Sequence, residues 1–258
     1  MSERLIVRRQ GRIAHITLNR PEARNALDSA LCADLLQAIG EADADTSAGA
    51  ILLDAAGSAF CAGMDLKEPA VFDSVSLAPL HVDLFSFGRN LTKPMVAAVH
   101  GAALGGGTGL ALNAHIVVAS TSARFGLTET RIGLWPYAIF PVVAAAVGRR
   151  KATELATTGR IVEAAEAAAL GLADEVVPDE GLAARAMAVT SELALGSAEA
   201  VASGFGFLRD IEGAPLEEIH RLAAERRLKL QRSADFREGV AAFREKRRAV
   251  WPSHGGTG

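Results

Sequence analysis

Apolar residues along the first two thirds of the chain follow the patterns of strands and helices in turn. Alternation on both sides of Gly11 predicts a β-hairpin over residues 5–20. Short continuous apolar runs at residues 50–53, 95–99 and 115–119 are typical of strands that are buried on both faces. Because helical patterns lie between these runs, the sequence predicts an α/β fold with parallel strand pairing.

Local signals also place the ends of several elements. Asp28 is a suitable N-cap for a helix whose apolar residues recur at every fourth position, Leu31, Leu35 and Ile39. Residues 163–170 have an Ala/Glu-rich helical pattern, and Gly171 suits its C-terminal end. Residues 176–178 read as a short strand that ends at a proline. The polar segment 66–92 shows no regular pattern, so we expect an irregular and mobile surface region there.

The last third of the chain shows helical patterns only, and no strand pattern remains beyond about residue 183. Pro215 can open one helix with its apolar residues inward, namely Leu216, Ile219 and Leu222. Ser233 or Asp235 can cap another, along which one stripe contains Phe236, Val240, Phe243 and Arg247. We therefore predict an α/β core over residues 1–195 and a helical C-terminal region over residues 196–258.

Composition excludes several classes of protein. The chain has 258 residues, 50% hydrophobic and 22% charged, with a formal net charge of -3, which is not the balance of an electrostatically driven nucleic-acid binder. Cys32 and Cys61 cannot form a disulfide framework, and no Cys-x-x-Cys or His-Glu-x-x-His metal motif occurs. The uncharged stretch between Lys93 and Arg124 is interrupted by glycines and predicts no membrane-spanning helix. We expect a cytoplasmic globular protein without a metal site.

Three segments place small residues or a carboxylate directly after predicted strands: residues 60–66, 101–109 and 125–129. Glycines that open a helix leave backbone N–H donors free for an oxyanion. Glu129 stands in apolar company, and a desolvated carboxylate beside such donors suits proton transfer next to a carbonyl. We therefore interpret Glu129 as catalytic rather than as a solvated surface group. The glycines do not complete a dinucleotide-binding fingerprint, because Leu110 takes the position of its final glycine.

Other candidates have simpler interpretations. His100, His115 and Cys61 follow apolar strands, and we expect them to be buried without a catalytic role. Asp65 is expected to brace its own loop. Three aromatic residues are expected to line the core or a hydrophobic pocket: Trp135, Tyr137 and Phe140.

Seven motifs follow one another along nearly the whole chain. They are Asn19-Arg20-Pro21-Glu22-Ala23-Arg24-Asn25-Ala26-Leu27, residues 60–65, Lys93-Pro94, residues 101–107, residues 125–129, Leu170-Gly171-Leu172 with residues 176–178, and Glu238-Gly239 through Phe243 to Lys246-Arg247. In this order they resemble the enoyl-CoA hydratase/isomerase (crotonase) family. The resemblance implies a spiral of strand-strand-helix units with a helical C-terminal region used in trimer contacts.

The resemblance also implies a site for an acyl-CoA thioester. The N–H groups of Met64 and Gly106 would form its oxyanion hole, and Glu129 would be the acid–base residue. Coenzyme A, as part of the substrate and not as a separate cofactor, would be bound by the following residues: Arg24, Ala26, Ala62, Asp65, Leu66 and Gly105. Phe243 and Lys246 of a neighbouring subunit would hold the nucleotide end in a homotrimer or a hexamer.

The sequence departs from the family pattern at the second acid–base position. Hydratases of this family usually have a glutamate where this chain has Gly109, and a Pro-Gly-x-Gly-Gly run where it has residues 134–141. A single glutamate resembles Δ3,Δ2-enoyl-CoA isomerases and hydratases of branched substrates such as methylglutaconyl-CoA. We favour hydration and keep two alternatives, the isomerase and a catalytically weak CoA-ester-binding oligomer. If a side chain at position 109 reaches the site, Gly109→Glu should raise hydration.

Overall fold

A six-stranded sheet forms the centre of the molecule in the computed structural model, which describes residues 3–68 and 74–254. The strands are β1 (Leu5–Gln10), β2 (Ile13–Leu18), β3 (Ala50–Ala55), β4 (Met95–Val99), β5 (Ala102–Leu104), β6 (Ile116–Ser120), β7 (Arg124–Gly126), β8 (Ile161–Glu163) and β9 (Glu175–Val177). The six-stranded sheet has the order β1-β2-β3-β4-β6-β9, and only the β1–β2 hairpin is antiparallel. The predicted hairpin and parallel α/β fold are therefore confirmed.

A second sheet of three short strands, in the order β5-β7-β8, lies beside the first. β5 follows β4 after a turn at Gly101, and β7 follows β6 in the same way. Each pair of successive strands therefore contributes one strand to each sheet. The β4–β5 pair then leads directly into a helix, which is the strand-strand-helix arrangement that the family resemblance implies.

Ten α-helices complete the described part of the chain. They are α1 (Ser29–Ala44), α2 (Ser74–Leu84), α3 (Gly106–Leu112), α4 (Phe140–Val147), α5 (Arg149–Thr158), α6 (Ala164–Leu170), α7 (Leu182–Leu193), α8 (Ala198–Asp210), α9 (Leu216–Gln231) and α10 (Ala234–Glu245). The Asp28 carboxylate accepts a hydrogen bond from the Leu31 N–H at 2.7 Å, so the predicted N-cap of α1 is confirmed. Gly171 ends α6 with a φ of 89°, as predicted.

The long apolar runs of the sequence are buried on both sides of the six-stranded sheet. Along β4, Met95, Ala97 and Val99 join the larger core cluster, whereas Val96 and Ala98 join a second cluster beneath α7. Both clusters are contiguous, and each strand residue contributes to one of them because successive side chains point to opposite faces. This sandwiching by helices fixes the strand ends from which the functional loops emerge.

One predicted irregular segment is partly helical. Residues 66–92 include α2 and a 3₁₀ turn at Phe87–Asn90, although residues 69–73 lie outside the described part. Pro79 inside the helix and the polar residues around it obscured the helical pattern. Leu84 is nevertheless fully buried and Phe87 nearly so, so burial against the core stabilises this segment.

The C-terminal helices are present, but their burial differs from the prediction. Leu216 is 67% exposed, and α9 contains no buried residue. On α10, Phe236 is 46% and Phe243 85% exposed, so the predicted apolar stripe does not face this chain's core. Ser233, rather than Asp235, caps α10 by accepting from the Phe236 N–H. Helical periodicity gives a face but not the partner that covers it.

No helix within residues 3–68 and 74–254 is both long and apolar enough to cross a membrane. The boundary near residue 195 stays a prediction, although α7 ends at Leu193 and α8 begins at Ala198.

Candidate active site

The loop after β3 is held by contacts to two other parts of the chain. Cys61 pairs with Ala103 of β5, and Met64 pairs with Leu27, each as an isolated parallel bridge. The Leu27 N–H donates to the Gly63 carbonyl at 2.8 Å, and the Asp65 N–H donates to the Leu27 carbonyl at 3.0 Å. Both bonds bypass Met64, whose N–H donates no hydrogen bond within the described residues. A free backbone donor is thereby fixed in place.

A second free donor lies at the start of α3. Gly106 is the first residue of this helix, and its N–H has no hydrogen-bond acceptor in the part of the chain that the structure describes. A Cβ at Gly63 would lie 2.8 Å from the Leu104 carbonyl oxygen and 3.6 Å from the Gly106 nitrogen, so the two loops are in direct contact. Gly63 also has a φ of 94°, which favours glycine. Glycine at this position permits the two backbones to approach.

The Thr108 hydroxyl connects this second loop to β7. It donates to the Ala103 carbonyl at 2.6 Å and accepts from the Gly126 N–H at 3.1 Å. The Gly105 N–H also donates to the Gly126 carbonyl at 2.7 Å. These bonds hold the start of α3 against the strand that leads to Glu129.

Glu129 begins a 3₁₀ turn directly after β7, beside the Gly105 backbone. A Cβ at Gly105 would lie 2.9 Å from Glu129 Oε1, so the carboxylate occupies the space that a side chain there would need. Glu129 Oε2 is buried and has no hydrogen-bond partner among the described residues. Burial raises the pKa of this carboxyl group, and its own backbone N–H opposes part of that effect. A desolvated carboxylate of this kind is suited to accept a proton.

These residues line a cavity of about 570 Å³. The residues next to the two free donors, which we call the glycine set, are Leu27, Ala62, Gly63, Met64, Leu66, Gly105, Gly106, Thr128 and Glu129. The remaining lining residues are apolar apart from His81 and the Tyr137 hydroxyl, and we call them the apolar set: Ala78, His81, Val82, Phe85, Ile132, Leu134, Trp135, Pro136, Tyr137, Ala138 and Ile139. A largely apolar cavity with a few convergent polar groups is typical of a small-molecule site.

Gly109 does not face open space in this cavity. A Cβ there would lie 2.3 Å from Ile139 Cγ2, 2.7 Å from Ile139 Cβ and 3.2 Å from Phe85 Cδ1. The space beside position 109 is therefore filled by Ile139 and Phe85. A glutamate could not reach the site without displacing Ile139, so the condition attached to Gly109→Glu is not met in the native packing.

The structure brings together six of the predicted site residues along the cavity: Ala62, Met64, Leu66, Gly105, Gly106 and Glu129. Arg24 and Ala26 lie beside it in the preceding turn, where the Arg24 carbonyl accepts from the Ala62 N–H at 3.0 Å. Asp65 does not line the cavity. It pairs with Arg20 at 3.1 Å and accepts from the Lys67 N–H at 3.1 Å, which is a bracing role.

The turn before α1 is fixed by a buried amide. Asn25 Oδ1 accepts from the Arg20 N–H at 2.8 Å, and Asn25 Nδ2 donates to the Ala56 and Ala59 carbonyls at 2.8 Å. Arg24 and Asn25 both have positive φ, 52° and 54°. The amide thus holds an unusual backbone turn against the loop that carries Met64.

Phe243 and Lys246 lie outside the cavity lining of this chain. Phe243 is 85% exposed, and Lys246 directly follows α10 as its C-cap, with a left-handed backbone at φ 55°. A single copy of the chain therefore does not bring either residue to the site.

The two histidines and the cysteine are also separate from the cavity lining. His100 Nε2 contacts the Gly57 carbonyl at 2.9 Å, and the Met95 N–H donates to His115 Nδ1 at 3.1 Å.

Cys61 is fully buried, as predicted, and burial raises the pKa of its thiol to about 12. The prediction of burial is wrong for the two histidines, because His100 is half-buried and His115 is exposed at the end of its loop. Desolvation of the His115 ring by its neighbours nevertheless lowers its pKa to about 4. Cys61 is therefore a thiol at neutral pH and not the thiolate that a nucleophile requires. His115 is neutral at that pH, but it does not line the cavity and so has no substrate to act on there.

Sequence reasoning missed several lining residues, among them Ala78, His81, Val82, Phe85 and Ile139. The spacing of His81 and Phe85, four residues apart, was a helical signal that Pro79 masked. Trp135 and Tyr137 line the cavity as expected, whereas Phe140 packs behind Trp135 with ring centroids 5.9 Å apart. No local signal linked Ile139 to Gly109. In addition, no three His, Cys, Asp or Glu side chains in the described ranges are grouped to hold a metal ion.

The two connected sheets and the cavity between backbone donors and a buried carboxylate define an α/β protein with an enzyme-like site. A family model for enoyl-CoA hydratase/isomerase matches residues 8–254. The chain therefore belongs to the enoyl-CoA hydratase/isomerase family, as the motifs indicated, and is an enzyme of that family.

Individual relatives agree over nearly their full lengths. The chain is 35% identical over 249 residues to enoyl-CoA hydratase EchA19 of Mycobacterium tuberculosis, covering 94% of each chain. It is 40% identical over 261 residues to a probable enoyl-CoA hydratase of Rhizobium meliloti, covering 96% of this chain and 97% of the relative. Among solved structures, an enoyl-CoA hydratase from Mycobacterium smegmatis superposes with a TM-score of 0.91 at 33% identity, covering 97% of this chain and all of the other.

Proposed function

We propose that the protein hydrates an enoyl-CoA thioester, with Glu129 as its acid–base residue and the Met64 and Gly106 N–H groups as its oxyanion hole. The observation that carries this proposal is the buried, unpartnered Oε2 of Glu129 in the cavity that both free donors adjoin. An N–H pair stabilises the negative charge that develops on a thioester oxygen, and a carboxylate beside it handles the proton.

Hydration needs only one carboxylate if that group first accepts a proton from water and then returns it to the substrate. Ionised Glu129 takes a proton from water while the hydroxide oxygen forms a bond to C3 of the 2-enoyl group. The C2–C3 π electrons move toward the thioester oxygen, which the two N–H donors hold as an enolate. Protonated Glu129 then gives the proton to C2, which restores the carboxylate and yields the 3-hydroxyacyl thioester.

A Δ3,Δ2-enoyl-CoA isomerase is the second candidate, and the packing of Ile139 against Gly109 favours it. Glu129 is the carboxylate of the glycine set, and a second carboxylate does not fit at position 109 because Ile139 fills the space there. Moving a double bond needs one base: Glu129 takes a proton from C2 of a 3-enoyl thioester and returns it to C4. The same donors would hold the intermediate dienolate.

Binding of the CoA part is assigned, within the same proposal, to Arg24, Ala26 and the loop from Ala62 to Leu66, with Gly105 beside them. Phe243 and Lys246 of a neighbouring copy would hold the nucleotide end, in a homotrimer or a hexamer. Their exposure supports this assignment, because it leaves both side chains available to another copy. The chemistry requires no metal or further cofactor, and a cytoplasmic location belongs to the same proposal.

Glu129→Gln tests the proposed function. We expect turnover on the best substrate to fall by about 10²–10⁴-fold, because an amide keeps the shape but exchanges no proton at neutral pH. Affinity for the CoA ester should stay within a few-fold. The substrate panel contains 2-enoyl-, 3-enoyl- and branched enoyl-CoAs, followed by ultraviolet absorbance and mass spectrometry. The exposed Glu163, changed to Gln, is the matched control.

Solvent deuterium exchange at C2 of a saturated acyl-CoA separates the outcomes. Exchange by the native protein but not by Glu129→Gln supports a working base and oxyanion hole. Absence of exchange and turnover together with intact ester binding would instead identify a CoA-ester-binding oligomer. Native turnover by Glu129→Gln would disprove the role of Glu129.

A further inference from the structure

Besides Glu129 and the exposed Tyr137, His81 is a titratable side chain that lines the largely apolar cavity, and it has no part in the chemistry above. It lies on α2, four residues before Phe85, and their ring centroids are 6.2 Å apart. The Phe85 ring reaches the start of α3, because a Cβ at Gly106 would lie 3.0 Å from Phe85 Cζ. The imidazole therefore lies one helical turn away from the ring that covers the proposed oxyanion hole.

The imidazole has no hydrogen-bond partner among the described residues, and it is half-buried beside apolar neighbours. Its ring contact is with Phe85, and the nearby cavity-lining residues of α2 are Ala78 and Val82. A polar group that loses water without gaining a partner is destabilising. A ligand that fills this cavity would exclude water from His81, so a matching ligand needs a polar atom there.

The surroundings of His81 define the kind of polar atom. Burial lowers the pKa of His81, although the Glu68 carboxylate opposes that effect. Neutral imidazole offers one donor and one acceptor, which suits a hydroxyl or carbonyl group. Glu68 is itself fixed by the Ser29 N–H at 3.1 Å, so its negative charge stays close and disfavours a second carboxylate.

We propose that His81 is a specificity-determining residue that hydrogen-bonds an uncharged oxygen substituent, a hydroxyl or carbonyl, on the acyl chain of the substrate. This inference rests on the proposed function, since it assumes that the cavity holds the acyl group of a CoA thioester. It assigns a substrate class, oxygen-bearing acyl-CoAs, to a cavity whose other lining is mainly apolar.

Binding of inert, saturated acyl-CoAs tests the inference without needing turnover. The series pairs a plain alkyl chain with chains of equal length that carry a hydroxyl at successive carbons, and with one that carries a terminal carboxylate. We expect the native protein to bind one hydroxyacyl-CoA about tenfold more tightly than its alkyl match, as one net hydrogen bond allows. The carboxylate chain should show no such gain.

Variants of His81 separate hydrogen bonding from packing. His81→Phe should abolish the hydroxyl preference while leaving alkyl-CoA affinity within twofold, and His81→Gln should restore part of the preference. Val82→Ala is the matched control on the same helix and should change both affinities equally. Equal loss for both chains in His81→Phe, or no preference by the native protein for any hydroxyl position, overturns the inference.

The proposed function fails separately from this inference. A native hydroxyl preference in binding, lost in His81→Phe, together with no turnover on any enoyl-CoA would support the His81 assignment and reject the hydratase and isomerase assignments. No binding of any CoA ester would overturn both.

Discussion

Gly63 and Gly109 are both glycines next to the cavity, but they are glycines for different reasons. At Gly63 the backbone is left-handed, and a Cβ would meet a carbonyl oxygen of the next loop. At Gly109 the backbone is helical, and a Cβ would meet the side chain of Ile139. Backbone cannot move without dismantling the paired loops, whereas a side chain can be replaced. The loops of the glycine set are therefore fixed by the fold. By contrast, the contact between Gly109 and Ile139 of the apolar set can be changed by a single substitution.

The largest expected effect is that of Gly63→Ala. We expect kcat to fall by about 10²–10³-fold, because displacing this loop moves the Met64 donor. Strain at positive φ and the contact with Leu104 should also lower the free energy of unfolding by about 1–3 kcal/mol. Steady-state kinetics and denaturant unfolding measure the two effects.

Gly213→Ala separates the contact from the backbone strain. Gly213 has a φ of 72°, and a Cβ there would have no neighbour within 4 Å. This control should lose stability but keep turnover. If Gly63→Ala behaved like Gly213→Ala, the donor geometry would not depend on the loop contact.

The second effect concerns the contact between Gly109 and Ile139. Gly109→Ala should lower the free energy of unfolding by about 1–3 kcal/mol because of its overlap with Ile139. Gly40→Ala in α1, where a Cβ would have open space, should instead raise it by about 0.5–1 kcal/mol. Urea unfolding of both variants compares the free energy of unfolding for a crowded helical glycine and for one with open space.

A double-mutant cycle with Ile139→Gly sharpens the same point. Since this change removes both Ile139 atoms that crowd position 109, Gly109→Glu should cost less stability in its presence than alone. Gly109→Glu alone should not raise hydration. Additive costs, or a gain of hydration in the single variant, would show that Ile139 does not control access to this position.

A smaller effect is expected in the pH dependence of turnover. Burial raises the pKa of Glu129, so its protonated form persists to higher pH than in an ordinary carboxyl group. A base acts only when ionised, and kcat/KM should therefore fall on the acid side at a higher pH than for a solvated glutamate. Ile139→Ala, by admitting water, should move this limb to lower pH. If Ile139→Ala leaves the midpoint of the acid limb of kcat/KM unchanged, a group other than Glu129 controls that limb.

The smallest effect is expected for Lys246, which lies outside the glycine set and the apolar set. Lys246→Gln should weaken CoA-ester binding a few-fold, and less so at high salt, because an exposed ammonium–phosphate contact is screened. Binding of a pantetheine thioester without the nucleotide should not change. Arg244→Gln on the same helix is the matched control. Equal weakening for both ligands would indicate a disturbed helix rather than a lost phosphate contact.

The elements that sequence reasoning predicted well are those whose signals are local. The apolar run of β4 is buried on both faces as expected, and Asp28 caps α1 because its carboxylate meets an N–H three residues away. By contrast, α1 and α9 both span 16 residues, yet α1 has six buried residues and α9 none. A periodic pattern predicts a helix and its apolar face, but it does not identify what that face contacts.

The same distinction holds in the site. Glu129 and Gly106 could be selected from neighbouring residues, since a carboxylate after a short strand and a glycine-rich helix start are visible in sequence. The packing of Ile139 against Gly109 could not be predicted in this way, because that contact joins residues from separate segments. His81 was missed for both reasons, since its helix was misread and its place in the cavity depends on tertiary packing.

The two isolated bridges also have a consequence for how the chain folds. Met64 depends on Leu27, and Cys61 depends on Ala103, so each partner is dozens of residues away along the chain. Contacts of such sequence separation require large loops to close before they contribute any stability, and they form late in folding. The placement of the Met64 N–H beside the start of α3 therefore depends on the closure of both loops. We therefore expect activity to recover during refolding only after these long-range contacts have formed.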